Sequence, residues 1–239
     1  MKSITPTSTI SSKPRLLALS AALGGALMLA ACGGGSDDDS GNPVQRPKPN
    51  PITVAPTTTC STAGVAAANA STAANVVCML TSDGEMVVEL DSRTPITTAN
   101  FLKYVNAKYY DNTIFHRVVP GFVAQGGGFI TGYAPKAPGT DLGGTIKLET
   151  NVGVSNLKYT IAMARTGVPD SATSQFFFNS VDNNTVLDYK SAADPGYAAF
   201  GRVILGQATI DKINAEPQLY SGAETPATEV LLYWVIRLK

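Results

Sequence analysis

The sequence predicts a mainly β domain, either a barrel or a sandwich, that follows an N-terminal segment outside the fold. Many short β-prone runs and only two helix patterns occur along the 239 residues. Several short strands separated by turn signals are typical of barrels and sandwiches. The length suits one domain with appendages, and no internal repeat is present. Periodicity alone does not choose between the two β architectures.

The domain begins near Asn75 with a predicted hairpin. Residues 76–80 and 85–90 are β-prone and flank a turn that contains Asp83-Gly84, and Asp-Gly between apolar runs indicates a tight hairpin. Thr94-Pro95 then begins a helix that extends to about residue 106, with proline at its first position. The later predicted elements are strands at 114–119, 160–164, 175–179, 198–203 and 230–238, and a short helix at 207–214.

Residues 1–31 are predicted to be a leader. Lys13 and Arg15 precede an apolar run at 16–31, which is short for a membrane span and is typical of an export signal. The run ends in Leu-Ala-Ala before Cys32, which resembles a bacterial lipobox. That resemblance implies a lipid on Cys32 and a location on the periplasmic side of the cell envelope. Gly33, rather than Asp, after the cysteine favours the outer membrane. The alternative is an ordinary secretory signal with an incidental cysteine.

Residues 32–74 are predicted to be a disordered tether and an Ala-rich extension. Gly, Ser, Asp, Asn and Pro dominate from residue 33 to about 56, and such a segment buries too little apolar surface to order itself. Cys60 and Cys78 are an even pair in an exported chain and predict a disulfide. The alternative is a free Cys60 with Cys78 as a small buried side chain.

Charge and residue types exclude several functions. The formal net charge is zero, so no basic face is expected and nucleic acid is not predicted as a partner. His116 is the only histidine, and the sequence shows neither paired carboxylates nor a His/Cys cluster. We therefore expect no metal, no cofactor and no nucleophilic catalysis, with His116 in a structural position.

Two sequence blocks carry the functional signal. Residues 115–129 place Arg117, Phe122 and Gln125 around a Pro-Gly turn, and residues 160–166 are followed by 171–177. Together they resemble the two active-site segments of the cyclophilin family of peptidyl-prolyl cis-trans isomerases. The resemblance extends over residues 75–239. It implies a closed eight-stranded antiparallel β-barrel with a helix covering each end, and catalysis of rotation about X-Pro bonds in proline-containing polypeptides. We expect a monomer.

The resemblance also implies which residues form the site. Arg117 matches the catalytic arginine and Gln125 the glutamine that orients it. The positions that match the substrate site are Phe122, Val123, Met163, Ala164, Arg165, Gln175, Phe177, Leu187 and Tyr197. Met163 also suits simple core packing. Arg165 replaces a common asparagine, and Tyr197 replaces a histidine of many eukaryotic members.

The sequence therefore favours an isomerase that assists the folding of exported envelope proteins. A non-catalytic, tethered module that binds proline-containing segments, as a holdase or scaffold, is the alternative. A structural lipoprotein with a relic pocket is a third possibility. Arg117, Gln125 and Phe177 occur together, and a pure binder has no need of that set.

Overall fold

The computed structural model describes residues 45–139 and 141–239. Cys32, the predicted leader and the predicted tether up to residue 44 lie outside the described residues. Within the two described ranges, no helix is both long and apolar enough to cross a membrane.

The described ranges contain mainly strands, together with four α-helices and one short 3-10 helix at Thr131–Tyr133. The strands are β1 (Asn75–Thr81), β2 (Gly84–Leu90), β3 (Thr113–Val119), β4 (Val123–Ile130), β5 (Ala134–Pro135), β6 (Thr160–Met163), β7 (Phe176–Asn179), β8 (Ala199–Leu205) and β9 (Val230–Arg237). The helices are α1 (Thr62–Ala70), α2 (Pro95–Asn106), α3 (Asn184–Leu187) and α4 (Gln207–Ala215).

Eight of these strands form a closed antiparallel barrel. The order around the sheet is β3-β9-β1-β2-β8-β6-β7-β4, and pairing of β3 with β4 closes it. The two-residue β5 pairs with β4 outside the barrel. Because the sheet closes on itself, none of the eight strands is left as a long unpaired edge. The sheet therefore does not need to pack against a second sheet. The predicted eight-stranded barrel is confirmed.

The barrel interior holds the main hydrophobic core. Alternate residues of each strand point inward, so that Phe176 and Phe178 of β7 and Ile161 of β6 belong to one interior cluster. Phe101 of α2 and Ile210 of α4 join the same cluster. Each fully buried side chain of this size contributes about 1.5–3 kcal/mol through burial. The two predicted helices are thus part of the barrel core.

The N-terminal extension covers the outside of β1. Val76, Cys78 and Leu80 form a second cluster beneath it, with Ala68 of α1 and Trp234 of β9. Both faces of β1 are therefore buried, which explains why its sequence is continuously apolar instead of alternating. A disulfide between Cys60 and Cys78 joins the extension to the barrel.

Residues 46–57 also lie against the barrel. The Lys48 amide donates to Ala227 O (2.8 Å), and the Glu229 amide donates to Lys48 O (2.9 Å). Tyr233 Oη donates to Ile52 O, and Trp234 Nε1 donates to Thr57 O, each at 2.7 Å. The prediction of a disordered tether up to about residue 56 was therefore wrong for residues 46–56. Composition misled it because hydrogen bonds, not apolar burial, hold this arm in place.

Helix α2 begins where the sequence predicts, but with a different cap. Thr94 makes no side-chain cap bond. The Glu149 carboxylate instead accepts the amide hydrogens of Ile96 (3.1 Å) and Thr97 (2.7 Å). A carboxylate at a helix N-terminus satisfies free N–H groups and opposes the positive end of the helix dipole. The long-range contact with Glu149 could not be read from the local sequence.

Candidate active site

Four paired residues form a row across the outer face of the barrel. Arg117 on β3 pairs with Gln125 on β4, Gln125 pairs with Phe177 on β7, and Phe177 pairs with Ala162 on β6. Directly paired residues in antiparallel strands have Cβ atoms about 4.5–5.5 Å apart and share one face. Strand register therefore brings together the two sequence blocks. We call Arg117, Gln125, Phe177 and Ala162 the outer row.

The Arg117 guanidinium is held at one side and free at another. Its Nε donates to Glu224 Oε2 at 2.6 Å, and its side chain is 21% exposed. Its Nη1 is buried and has no hydrogen-bond partner within residues 45–139 and 141–239. A buried N–H without an acceptor is costly, so an acceptor that reached this atom would be stabilising.

The two predicted glutamines contact each other beside the arginine. Gln125 Nε2 donates to Gln175 Oε1 at 2.9 Å. Gly128 leaves the room that this contact needs, because a Cβ there would lie 2.6 Å from Gln175 Cδ. Gly128 lies in strand β4 and packs closely against Gln175.

An apolar cluster lies next to the outer row. Phe177 is fully buried, and its ring meets that of Tyr197 edge-on at a centroid distance of 5.8 Å. The turn that contains Gly121, at φ +69°, presents Phe122 to this cluster. Its members are Phe122, Val123, Val154, Ala162, Ala164, Phe177, Leu187, Tyr197 and Ala199. We call this set the outer pocket, and it contains six of the nine predicted substrate-site residues.

Met163 does not join the outer pocket. It is 1% exposed and belongs to the interior cluster, on the opposite face of β6 from Ala162. Successive side chains of a strand alternate between faces, so Met163 points inward when Ala162 and Ala164 point outward. The prediction of Met163 as a substrate-binding residue was wrong, and the alternative of core packing describes its position.

Arg165 forms the rim of the outer pocket. Its guanidinium lies over the Tyr197 ring, with Cζ 4.4 Å from the centroid. Its Nε and Nη2 donate to Gly196 O at 3.0 and 2.8 Å. Burial raises the pKa of Tyr197 above its ordinary value, and the positive charges of Arg165 and Arg117 partly oppose that rise. Arg165 thus brings a positive charge next to Tyr197, at the edge of the outer pocket.

Three buried asparagines, which the sequence motifs did not predict, support the pocket. Asn183 Nδ2 donates to Phe122 O (2.9 Å) and to Asn179 Oδ1 (2.8 Å). Asn156 Nδ2 donates to Tyr197 O at 3.0 Å. Buried amides must be satisfied, so this network fixes the backbone that presents Phe122 and Tyr197. The only sequence signal for this supporting network was the occurrence of three asparagines at or between the predicted strands.

His116 lies beside the site without joining it. Its ring is 4.4 Å from that of Phe129, and burial lowers its pKa to about 4. The imidazole is therefore neutral at pH 7. In the described ranges, the one group of three metal-ligating side chains is Cys60, Cys78 and Glu85. The two cysteines are bonded to each other, so they offer no thiolate to a metal.

The closed eight-stranded antiparallel barrel that carries this row and pocket is a cyclophilin-like fold. Residues 76–233 match the family model for cyclophilin type peptidyl-prolyl cis-trans isomerases. The chain therefore belongs to the cyclophilin family, and it is a peptidyl-prolyl cis-trans isomerase.

Similar proteins agree with this assignment. A peptidyl-prolyl cis-trans isomerase of Acinetobacter baylyi is 47% identical over 140 residues, which are 58% of this chain and 71% of the relative. Peptidyl-prolyl cis-trans isomerase A of Dickeya dadantii is 43% identical over 164 residues, 68% of this chain and 83% of the relative. A Cryptosporidium parvum cyclophilin, solved in the presence of the dipeptide Ala-Pro, superposes with a TM-score of 0.57 at 26% identity. That superposition covers 67% of this chain and 97% of the other.

Proposed function

We propose that the outer row is the catalytic centre, with Arg117 as the donor that stabilises the twisted amide. An X-Pro bond rotates over a barrier of about 18–20 kcal/mol, because resonance gives the amide partial double-bond character. At the twisted geometry the prolyl nitrogen regains a lone pair. A fixed donor near that nitrogen stabilises the twisted state more than either planar state, which is the condition for catalysis.

One observation carries this proposal: register places Arg117, Gln125 and Phe177 side by side on one face. The guanidinium keeps its charge and presents several donors in a rigid plane. A charge-assisted hydrogen bond made only in the twisted state contributes about 1.5–3 kcal/mol, or about 10- to 100-fold in rate. Gln125, held by Gln175, orients Arg117 and the substrate backbone.

We propose that the outer pocket receives the proline ring. The ring is small and apolar, so the walls formed by Phe122, Phe177 and Leu187 suit it. Val123, Ala164 and Tyr197 complete the lining, and Arg165 adds a positive charge at the rim. The structure of the Cryptosporidium parvum cyclophilin in the presence of Ala-Pro supports short X-Pro peptides as substrates.

A peptide titration followed by amide NMR tests this assignment. An Ala-Pro peptide added to the purified protein is expected to shift the amide signals of Phe122, Ala164 and Phe177. A groove of ≈ 680 Å³ at another place on the barrel, lined by residues that include Ala73, Glu89 and Arg202, is the internal control. Shifts confined to that groove would contradict the proposed substrate site.

We propose that the isomerase domain spans residues 75–239 and is held on the periplasmic side of the outer membrane by a lipid on Cys32. Residues 1–31 are then the removed leader, and 32–74 connect the anchor to the barrel. The disulfide between Cys60 and Cys78 supports an extracytoplasmic site, because such bonds persist in oxidising compartments. Globomycin is expected to cause an unprocessed precursor to accumulate. Normal processing in its presence, or membrane attachment of Cys32→Ser, would reject the anchor.

We also propose that the enzyme assists the folding of exported envelope proteins. Uncatalysed X-Pro exchange takes tens of seconds or longer, which is slow enough to limit folding. Cells that carry Arg117→Ala in place of the parent are expected to accumulate slowly folding exported proteins. Full function of that variant in cells would instead favour the tethered binding module.

A further inference from the structure

We infer that Glu224 is a positioning residue for Arg117: its carboxylate holds the guanidinium by Nε and does not occupy the two Nη groups. The inference rests on the proposed catalytic role of Arg117. The contact joins Arg117 Nε and Glu224 Oε2 at 2.6 Å, across a sequence separation of 107 residues. Glu224 belongs to neither of the two sequence blocks that carry the family resemblance.

The backbone that presents Glu224 is fixed by hydrogen bonds. The Val118 amide, next to Arg117, donates to Glu224 O at 2.7 Å. The loop is closed by Leu219 N donating to Thr225 O (2.9 Å) and Ala227 N donating to Pro217 O (2.7 Å). The N-terminal arm adds the bond from the Lys48 amide to Ala227 O. The backbone of Glu224 is therefore held in a defined position, unlike that of an acidic residue on a mobile surface loop.

The choice of Nε matters for the function of Arg117. A carboxylate that bound both Nη groups would compete with the substrate for the donors of the guanidinium. Glu224 binds through Nε instead, and Nη1 stays buried and unpaired within the described chain. Without Glu224, a guanidinium beside an apolar pocket gains hydration by turning to solvent. The carboxylate thus keeps Arg117 in the outer row before the substrate arrives.

The chain offers a matched control elsewhere on the barrel. Arg202 Nε donates to Glu89 Oε1 at the same 2.6 Å. This pair joins β8 to β2, and neither residue belongs to the outer row or the outer pocket. Glu89→Gln and Glu89→Ala therefore change an equivalent ion pair without changing the proposed site.

The test measures kcat and KM for an Ala-Pro peptide by exchange NMR, using the purified protein with Glu224→Ala and Glu224→Gln. Glu224→Ala is expected to lower kcat about tenfold and to change KM less than about twofold. Glu224→Gln is expected to restore at least about a third of the parent kcat, because its amide oxygen still accepts from Arg117 Nε. The two Glu89 variants are expected to keep the parent values.

A spectroscopic readout separates positioning from a general loss of structure. The Arg117 Nε–H resonance, assigned by its disappearance in Arg117→Ala, is expected to exchange slowly in the parent and in Glu224→Gln. It is expected to exchange rapidly in Glu224→Ala, while the other amide signals and the Tm stay close to the parent values. Protection that is the same in all three proteins would overturn the inference.

Parallel measurements on Arg117→Ala distinguish failure of this inference from failure of the proposed function. If Arg117→Ala is inactive and Glu224→Ala has the parent kcat, the positioning role is wrong and the catalytic role of Arg117 stands. If Arg117→Ala retains the parent kcat, the proposed function itself fails. Equal losses in Glu224→Ala and Glu224→Gln would also overturn the inference, because they would show that the hydrogen bond is not what matters. Adding Glu224→Ala to Arg117→Ala is expected to cause no further loss.

Discussion

Two arginine–glutamate pairs on the outside of the barrel have the same contact distance and different surroundings. Arg117 with Glu224 and Arg202 with Glu89 both join Nε to a carboxylate oxygen at 2.6 Å. The Arg117 side chain is 21% exposed and Glu224 54%, whereas the Arg202 side chain is 68% exposed and Glu89 19%. Each pair therefore has one exposed partner and contributes little to stability by itself. The difference is that the first pair holds its guanidinium beside apolar walls, where a charge acts more strongly on a ligand.

The strand neighbours of the two arginines explain the difference. Arg117 pairs with Gln125, and Gln125 in turn pairs with Phe177, whose ring is buried. Arg202 has Glu89 on one side and Thr160 on the other, so no aromatic wall adjoins it. The pocket beside an arginine, and not its ion pair, therefore makes it a candidate for catalysis.

Removal of the disulfide is expected to give the largest loss of stability without a loss of catalysis. The double variant Cys60→Ala, Cys78→Ala opens a link across 18 residues, and its free energy of unfolding is expected to fall by about 3 kcal/mol in the chain-entropy account. The activity at ambient temperature is expected to be unchanged, because the bond lies under the extension and away from the outer row. Denaturant titration and exchange NMR measure the two quantities. A large loss of activity in folded protein would contradict this separation.

Substitutions of Phe177 and Phe178 test whether substrate binds to the outer face of the barrel. Phe177→Leu removes an aromatic wall and the edge contact with Tyr197, and KM is expected to rise about two- to tenfold. Phe178→Leu changes the neighbouring inward ring and is expected to lower the Tm while KM stays constant. Peptide kinetics and thermal unfolding of both variants check this. Similar KM values for the two variants would show that the faces are not functionally distinct.

The pH dependence of stability tests whether His116 is structural. Burial lowers the pKa of His116 from 6.5 to about 4, so the unfolded state binds its proton first and stability is lost as pH falls through this range. Burial and Glu216 raise the pKa of Asp83 from 3.8 to about 6, so its contribution is lost as pH rises through that range. The two slopes oppose each other, each at most about 1.4 kcal/mol per pH unit.

Single variants should reveal these opposed slopes. Relative to the parent, His116→Phe is expected to lose stability as pH rises from about 4 to 6, and Asp83→Asn as pH falls from about 6 to 4. Urea unfolding at several pH values measures this. The kcat/KM of His116→Phe at neutral pH is expected to match that of the parent, and a lost pH dependence of activity in this variant would restore an acid–base role for His116.

Gly128→Ala is expected to give the smallest effect and to define the part played by the glutamines. The new Cβ would lie 2.6 Å from Gln175 Cδ, so Gln175 must shift and its bond to Gln125 weakens. A cost of about 1 kcal/mol corresponds to about a fivefold loss in kcat/KM. Gly139→Ala is the matched control, because nothing in the described part of the chain lies within 4 Å of its Cβ position. Equal activity of both variants would exclude a role for the glutamine contact.

The sequence predicted most strands and the two main helices closely, because hairpin and helix-start signals are local. Two motifs predicted Arg117, Gln125 and Phe177 as site residues, and strand register places these three side by side. Met163 was assigned to the wrong face, because a motif match does not state which residues of a strand point outward.

The remaining features depend on contacts that are distant in sequence. Glu224 reaches Arg117 through a loop without a motif, and Glu149 caps α2 from 52 residues away. The arm at residues 46–57 is held by backbone acceptors and by polar tips of β9 side chains, so its composition resembles that of a disordered tether. Local patterns predict elements well and predict such long-range polar contacts poorly.

Exchange NMR of an Ala-Pro peptide with Arg117→Ala and with Arg202→Ala decides whether the outer row is the catalytic centre. We expect the parent and Arg202→Ala to accelerate cis–trans exchange equally, and Arg117→Ala to be at least about tenfold slower with an unchanged fold. Equal losses in both variants, or full activity of Arg117→Ala, would show that catalysis does not depend on the outer row.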